Sequence, residues 1–255
     1  MRAIILAAGF GSRLMPLTKN NPKCMVEYKN KKIIDYEIKA LKANNIDEIC
    51  IVGGYLFEIL KKYLNEKYNI NLFYENKKYD KTNMVQTLFC AKDFLQKCIK
   101  DKQDLIISYA DIVYFENSIK KLKNDKSDFA ILIDKDWKKL WKKRFDNPLD
   151  DAETLKIKDN YIIELGKKAK DYDEIQGQYM GLFKFSYTFL KEVINTYENL
   201  DKSKDYDGKD FENMYMTSFL QILIDKFSNA KAIYTNGNWC EIDFMSDLRI
   251  DIDKF

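Results

Sequence analysis

Histidine is missing altogether from the 255 residues of this chain. Its absence removes Ser-His-Asp and Cys-His arrangements, imidazole general bases and His-ligated zinc. Any metal would have to sit on carboxylates, which favours hard ions such as magnesium. Cysteine is sparse and odd in number, with residues at 24, 50, 90, 98 and 240 and no C-x-x-C pair. Free thiols in a reducing compartment are therefore expected. No apolar run approaches the ~18 residues of a membrane helix. The N-terminus also lacks the ordered basic, apolar and cleavable regions of a signal peptide, so a soluble, cytoplasmic protein is expected. An excess of either charge is lacking too: 43 basic and 40 acidic residues leave a net charge of +3. That balance argues against a nucleic-acid partner. Repeats, low-complexity tracts and composition shifts that would mark a linker are absent.

What is present is concentrated near the N-terminus. Ala3, Ile4, Ile5 and Leu6 form a short apolar run that reads as a buried strand. Gly9 and Gly11 then break it. Glycine tolerates positive φ and lets a ligand approach the backbone, and consecutive amides in such a loop form an anion-binding concavity. Arg13 adds a planar, permanently charged fork suited to phosphate oxygens, and Lys23 a mobile point charge. A plain surface turn with two solvated cations is the bland alternative. A Walker A loop is excluded, because no Gly-Lys-Ser/Thr follows, and the dinucleotide fingerprint lacks its third glycine.

Down the chain, apolar runs at 48–52, 71–74 and 104–109 alternate with helical spacing. Ile34, Ile38 and Leu41 give one helical face; Leu56, Phe57, Leu60, Tyr63 and Leu64 give a second; Met84, Leu88, Leu95 and Cys98 give a third. Alternating strands and helices imply an α/β fold with a mostly parallel sheet and helices on both faces. A fifth strand is expected at 128–133. The segment 134–147 carries six basic and three acidic residues, with Trp137, Leu140 and Trp141 on one helical face. It reads as a mobile flap or as a short amphipathic helix docked by its tryptophans. Beyond it come an antiparallel hairpin at 154–158 and 161–165, a strand at 178–185 and a helix through Phe211, Met214, Tyr215, Phe219 and Leu223. Short strands at 232–234 and 239–242 and a helical tail from Phe244 follow. One domain over 1–255 is expected, with no linker between 1–133 and 134–255.

The run from Leu6 to Thr18, followed by Pro22-Lys23, resembles the nucleotide-binding loop of the sugar nucleotidyltransferase family. That pattern is Leu-Ala-Ala-Gly-x-Gly-x-Arg-x-x-Pro-x-Thr and then Pro-Lys, and every fixed position is matched. The resemblance extends over nearly the whole chain. Tyr179-Met180-Gly181 stands where the sugar enzymes carry Asn-Ala-Gly. It implies a Rossmann-like, mixed and mostly parallel sheet with an inserted hairpin region. Where the sugar enzymes read their base with a Gln and a Gly-Thr-Ala-Gly loop, this chain has Tyr79-Asp80-Lys81-Thr82-Asn83. That loop, Ala110-Asp111 and Trp239-Cys240-Glu241-Ile242-Asp243 look instead like the cytidylyltransferase branch, related to phosphocholine cytidylyltransferases. Within it, the chain looks most like the cytidylyltransferases of capsule phosphoramidate synthesis, which join CTP to L-glutamine phosphate. Phosphocholine and sugar 1-phosphates are the alternative acceptors.

The resemblance implies that 1–133 binds nucleotide and that 134–255 binds the acceptor and supplies a second metal ligand, and it implies roles residue by residue. Asp111 and Asp243 each follow an apolar strand, where an Asp can equally cap a turn. The family places its magnesium ligands there, and with Arg13 and Lys23 they form the expected catalytic set. Leu6, Ala8, Gly9, Gly11, Ser12, Arg13, Tyr79, Asn83, Ser108 and Ala110 are expected at the nucleotide. Lys23, Glu164, Tyr179, Trp239 and Glu241 are expected at the acceptor. The reaction implied is attack of an acceptor phosphate on the α-phosphorus of CTP, with pyrophosphate leaving. A catalytically silent regulatory relative is the competing class, and the intact Arg13, Lys23, Asp111 and Asp243 argue against it. Monomer and homodimer are both compatible with the sequence.

Overall fold

In the computed structural model, which describes residues 1–252, β1 (Arg2–Ala7) lies inside a nine-stranded sheet. In chain order the other strands are β2 (Glu27–Tyr28), β3 (Lys31–Lys32), β4 (Ile49–Gly53), β5 (Leu72–Glu75), β6 (Leu105–Tyr109) and β7 (Ile112–Tyr114). Then follow β8 (Phe129–Asp134), β9 (Glu153–Lys158), β10 (Tyr161–Lys168), β11 (Gln178–Phe185), β12 (Ala230–Thr235) and β13 (Trp239–Glu241). The helices are α1 (Ile33–Ala43), α2 (Phe57–Tyr68), α3 (Met84–Cys90), α4 (Lys92–Lys100), α5 (Glu116–Asn124), α6 (Trp137–Arg144), α7 (Phe189–Glu198) and α8 (Met216–Phe227).

The sheet order is β5-β4-β1-β6-β11-β8-β12-β10-β9. β5, β4, β1 and β6 run parallel, as do β8 and β12. β11 is antiparallel to both its neighbours, and β9 and β10 form the antiparallel hairpin at the edge. The period of two along β1 explains the two cores. Ala3, Ile5 and Ala7 face one side, with α1, α2, α5 and α6; Ile4 and Leu6 face the other, with α3, α4, α7 and α8. Each leucine or isoleucine buried in this way contributes about 1.5–3 kcal/mol of transfer free energy.

Three expectations change. The helix expected through Met84 and Cys98 is two helices, α3 and α4, meeting at Ala91. The segment 134–147 is not an open flap: α6 is docked by Trp137 and Trp141, both about 5 % exposed or less. Among the described residues the tail from Phe244 forms no α-helix, with a short 3₁₀ turn at Asp247–Arg249, and residues 253–255 lie outside the described residues.

Candidate active site

β1, β4 and β6 are parallel, so their carboxyl ends open on one side, where ligands of such sheets collect. The loop after β1 leads the site. Gly11 has φ +67°, and a Cβ there would lie 2.9 Å from the Lys23 Cβ. Only glycine lets the loop take this left-handed turn and lets Lys23 pass beneath it. The Thr18 hydroxyl donates to the Gly11 carbonyl at 2.9 Å and closes the loop on itself.

The opposite wall is the loop after β5. Buried Asn76 organises it, its amide donating to the hydroxyls of Thr82 (2.9 Å) and Thr87 (3.0 Å). Asn83 caps α3, its side chain accepting from the Met84 amide at 2.8 Å. Between these walls lies a cavity of about 290 Å³. Leu6, Ala8, Gly9, Gly11, Ser12 and Arg13 line it from one side, Tyr79 and Asn83 from the other, and Lys23, Ala110, Asp111, Glu241 and Asp243 line it as well.

The acidic floor is assembled by a two-stranded ribbon. β7 pairs antiparallel with β13, Ile112 opposite Glu241, and the Ile242 amide donates to the Asp111 carbonyl at 2.8 Å. Asp111 and Asp243 are thereby brought together. Carboxylate oxygens of Asp111, Glu241 and Asp243 lie within 4.8 Å of one another. The Lys23 ammonium donates to Asp111 Oδ2 at 2.6 Å and also to Asp243 Oδ1. Arg13 reaches Asp243 Oδ2 at 2.9 Å and covers the Phe244 ring. Beneath, the fully buried Arg144 side chain pairs with Glu241 at 2.8 Å and Asp247 at 3.3 Å. Asp247 in turn accepts from the amides of Asp243 and Phe244, both at 2.9 Å.

These contacts set the ionisation. Burial works against the Lys23 ammonium, but the charges of Asp111 and Asp243 outweigh it and hold the group above the ordinary lysine range. Burial would also raise the Asp243 carboxyl; the Lys23 charge and hydrogen bond, with Arg13 and Arg144, hold it below the usual range. Burial and the Asp243 charge push the Glu241 carboxyl up, with Arg144 opposing. Asp111 Oδ1 is buried with no hydrogen-bond partner. An orphaned carboxylate oxygen in an all-oxygen cluster fits a hard divalent cation.

A second cavity, of about 510 Å³, adjoins the first and shares Arg13, Asn83, Met84, Glu241 and Asp243 with it. Its walls are aromatic. Trp141 and Trp239 lie 6.0 Å apart, and Tyr109 meets Tyr179 edge to face at 5.7 Å. Both indoles are pinned: Trp239 donates to Asp134 at 2.8 Å and Trp141 to Asp151 at 3.1 Å.

Two expected site residues lie elsewhere. Ser108 is fully buried on the face of β6 turned to α1, and its hydroxyl donates to Glu37 at 3.0 Å. Glu164 lines neither cavity; it pairs with Lys156 at 3.0 Å and Lys167 at 3.2 Å on the outer hairpin. Strand parity is the reason in each case. Ile107 faces the core next to α3 and α4, which turns Ser108 away, and Leu165 is buried, which turns Glu164 out. Conversely, Thr82, Met84 and Thr87 line the first cavity, and Asp151, Glu153 and Gln178 the second, without having been expected. The polar loop 75–83 signals Thr82 alone of the first group, Met84 and Thr87 being on α3; only the fold assembles the second.

Residues 2–142 match the family described as Nucleotidyl transferase. The chain is 70% identical to the CTP:phosphoglutamine cytidylyltransferase of Campylobacter jejuni subsp. jejuni serotype O:2, over 100% of both chains. The solved CTP:phosphocholine cytidylyltransferase of Streptococcus pneumoniae superposes with a TM-score of 0.72 at 26% identity, covering 97% of this chain and 96% of that one. The inositol-1-phosphate CTP transferase of T. maritima shares the fold, with a TM-score of 0.76 at 19% identity over 99% and 92% of the two chains. With its glycine loop, acidic ribbon and sheet all accounted for, the chain belongs to the nucleotidyl transferase family, in its cytidylyltransferase branch.

Proposed function

We propose that this cytidylyltransferase moves CMP from CTP to L-glutamine phosphate and releases pyrophosphate. In this reading magnesium is the cofactor, the reaction is cytoplasmic, and the CDP-linked product serves capsule or other surface-polysaccharide modification. The observation that carries it is the 70% identity, over the full length of both chains, with a relative named for CTP and phosphoglutamine.

The chemistry asks little of proton transfer. An acceptor phosphate is already anionic near neutrality, so it attacks the α-phosphorus without a general base, in keeping with a chain that has no histidine. The barrier is the approach of two anions and the charge on the leaving group, and positioning and electrostatics lower it. The amides of the Gly9–Gly11 loop and Arg13 hold the β- and γ-phosphates. Lys23 gives up part of its pairing with Asp111 and Asp243 to neutralise the α-phosphate or the incoming acceptor phosphate. Tyr79 and Asn83 frame the base, while Tyr179, Trp239 and Glu241 face the acceptor. Asp111 and Asp243 would hold the magnesium, with Glu241 beside them. Bound there, the ion would supply Lewis-acid stabilisation of the phosphate oxygens.

A phosphocholine acceptor is the second reading, favoured by the aromatic walls Trp141, Trp239, Tyr109 and Tyr179. The test is pyrophosphate release with magnesium, pairing CTP, UTP and ATP each with L-glutamine phosphate, phosphocholine and glucose 1-phosphate. Release with CTP and L-glutamine phosphate, lost in Asp111→Ala, supports the reading. Release with phosphocholine alone moves the acceptor, and release with glucose 1-phosphate alone overturns it.

A further inference from the structure

Four carboxylates line the second cavity, and three of them are already engaged. Asp151 accepts from Trp141, Glu241 pairs with Arg144, and Asp243 pairs with Lys23 and Arg13. The fourth, Glu153, makes no side-chain hydrogen bond or ion pair among the described residues, although it is held firmly from behind. Its amide donates to the Gln178 side-chain oxygen at 3.3 Å, and the Gln178 side-chain amide donates to its carbonyl at 2.6 Å. Burial, with the Asp151 charge adding to it, pushes the Glu153 carboxyl up to about 7. An unpaired carboxyl in a large cavity, on backbone anchored by Gln178, lacks a cationic partner, and the ligand is the remaining source of one.

The cavity's cationic lining is equally telling. Among the described residues Arg13 is the one cationic side chain that lines it, and Arg13 is tied to Asp243. A ligand carboxylate would therefore have to find uncharged donors. Two sets are present. Tyr215, Met216 and Thr217, at the N-terminus of the 12-residue α8, line the cavity, and no side chain caps that end. Its first amides have no intrahelical acceptor and carry the positive end of the helix dipole. The Tyr179 hydroxyl, buried on another wall, makes no hydrogen bond of good geometry, the Tyr109 hydroxyl being its polar neighbour.

We infer that this cavity is an amino-acid clamp: Glu153 takes the α-ammonium of the acceptor, and the open N-terminus of α8 with the Tyr179 hydroxyl takes its α-carboxylate. The inference rests on the reading of L-glutamine phosphate as acceptor and adds which residues select it. Phosphocholine and sugar 1-phosphates carry no α-carboxylate, so α8 and Tyr179 would discriminate against them.

The test is an analogue cycle. kcat/KM at saturating CTP is measured for L-glutamine phosphate, for its analogue without the α-amino group and for its analogue without the α-carboxylate. Wild type, Glu153→Gln and Tyr179→Phe are compared, with unchanged CTP affinity as the check on folding. Wild type should lose about 10- to 100-fold with either analogue, the usual worth of a charge-assisted hydrogen bond. Glu153→Gln should lose a similar factor with the parent acceptor and little more with the des-amino analogue. Tyr179→Phe should lose several-fold with the parent and nothing further with the des-carboxy analogue. If Glu153→Gln stays within twofold of wild type, or the des-amino penalty survives in it undiminished, the clamp is wrong while the acceptor stands. If wild type does not turn over L-glutamine phosphate, the acceptor reading falls and the clamp with it.

Discussion

The Ile242 amide donates to the Asp111 carbonyl at 2.8 Å, and this bond, continuing the β7–β13 ribbon, holds the two aspartates of the site against each other. Such closeness costs free energy unless a cation intervenes, and Lys23 supplies one. Replacing it with an uncharged side chain of similar length should expose the repulsion. Lys23→Met is expected to lower stability by about 3 kcal/mol without divalent ions, read by urea unfolding. Because the ammonium no longer competes for the carboxylates, the variant should bind magnesium more tightly than wild type in the absence of CTP, read by calorimetry. Unchanged magnesium affinity would show that Lys23 and the ion do not share the acidic floor.

Gly11 is constrained twice, by its φ of +67° and by a Lys23 Cβ that a new methyl group would meet at 2.9 Å. Gly11→Ala should cost about 1–2 kcal/mol from the left-handed backbone alone. Lys23 must also shift, so CTP affinity should fall by more than the stability loss suggests. Gly9, which has nothing within 4 Å of its would-be Cβ, is the control: Gly9→Ala should fold as wild type does. Thermal melts and CTP titration separate the two.

The residues legible in the sequence are those whose role is set by local spacing. The loop from Leu6 to Lys23 could be read because its glycines, Arg13 and Lys23 keep fixed intervals in one segment. Asp111 and Asp243 could be read singly, each at a strand end, but their meeting depends on β7 pairing with β13. Arg144, Asp247 and Glu153 left no local signal: a basic residue in a lysine-rich helix and acids beside turns look solvated until the chain folds. Ser108 and Glu164 were misplaced because one residue of strand parity decides which face a side chain takes. α7 has the helical spacing of Phe189, Leu190, Val193 and Ile194 but no glycine or proline at either end to mark it off.

Arg144 holds two acids at once, and its side chain is fully buried. Arg144→Leu would leave Asp247 fully buried and Glu241 without its counter-charge. Breaking such a pair by removing one partner costs about 3–5 kcal/mol. Since Asp247 anchors the amides of Asp243 and Phe244, the same variant should also loosen the segment that carries Asp243. The expected result is a large fall in melting temperature together with weaker magnesium-dependent CTP binding. A stable variant with wild-type CTP binding would show the Arg144 ion pairs beneath the site to be dispensable.

The Glu153 carboxyl, raised to about 7 by burial and Asp151, supplies a pH signature. Below that value the group is neutral and a poor partner for an ammonium; above it the carboxylate forms. Acceptor affinity should therefore rise with pH between about 6 and 8. Charged and titratable groups that line the cavity with Glu153 include Asp151 beside it, Tyr109 on β6, Tyr179 on β11, Glu241 on β13, Asp243 and Arg13. The tyrosines stay neutral in this range, both held well above the ordinary phenol value by burial. Glu241 and the acceptor phosphate contribute to any raw profile, so the diagnostic quantity is the difference between wild type and Glu153→Gln. The same carboxyl has an opposite effect on folding. The folded state holds its proton more tightly than the unfolded chain does, so its contribution to stability is full below about 4.5 and declines as pH rises through 7. Glu153→Gln should flatten both curves over that window, one read by KM for the acceptor and the other by urea unfolding. If the difference profiles show no step near 7, Glu153 does not titrate in the cavity as its surroundings require.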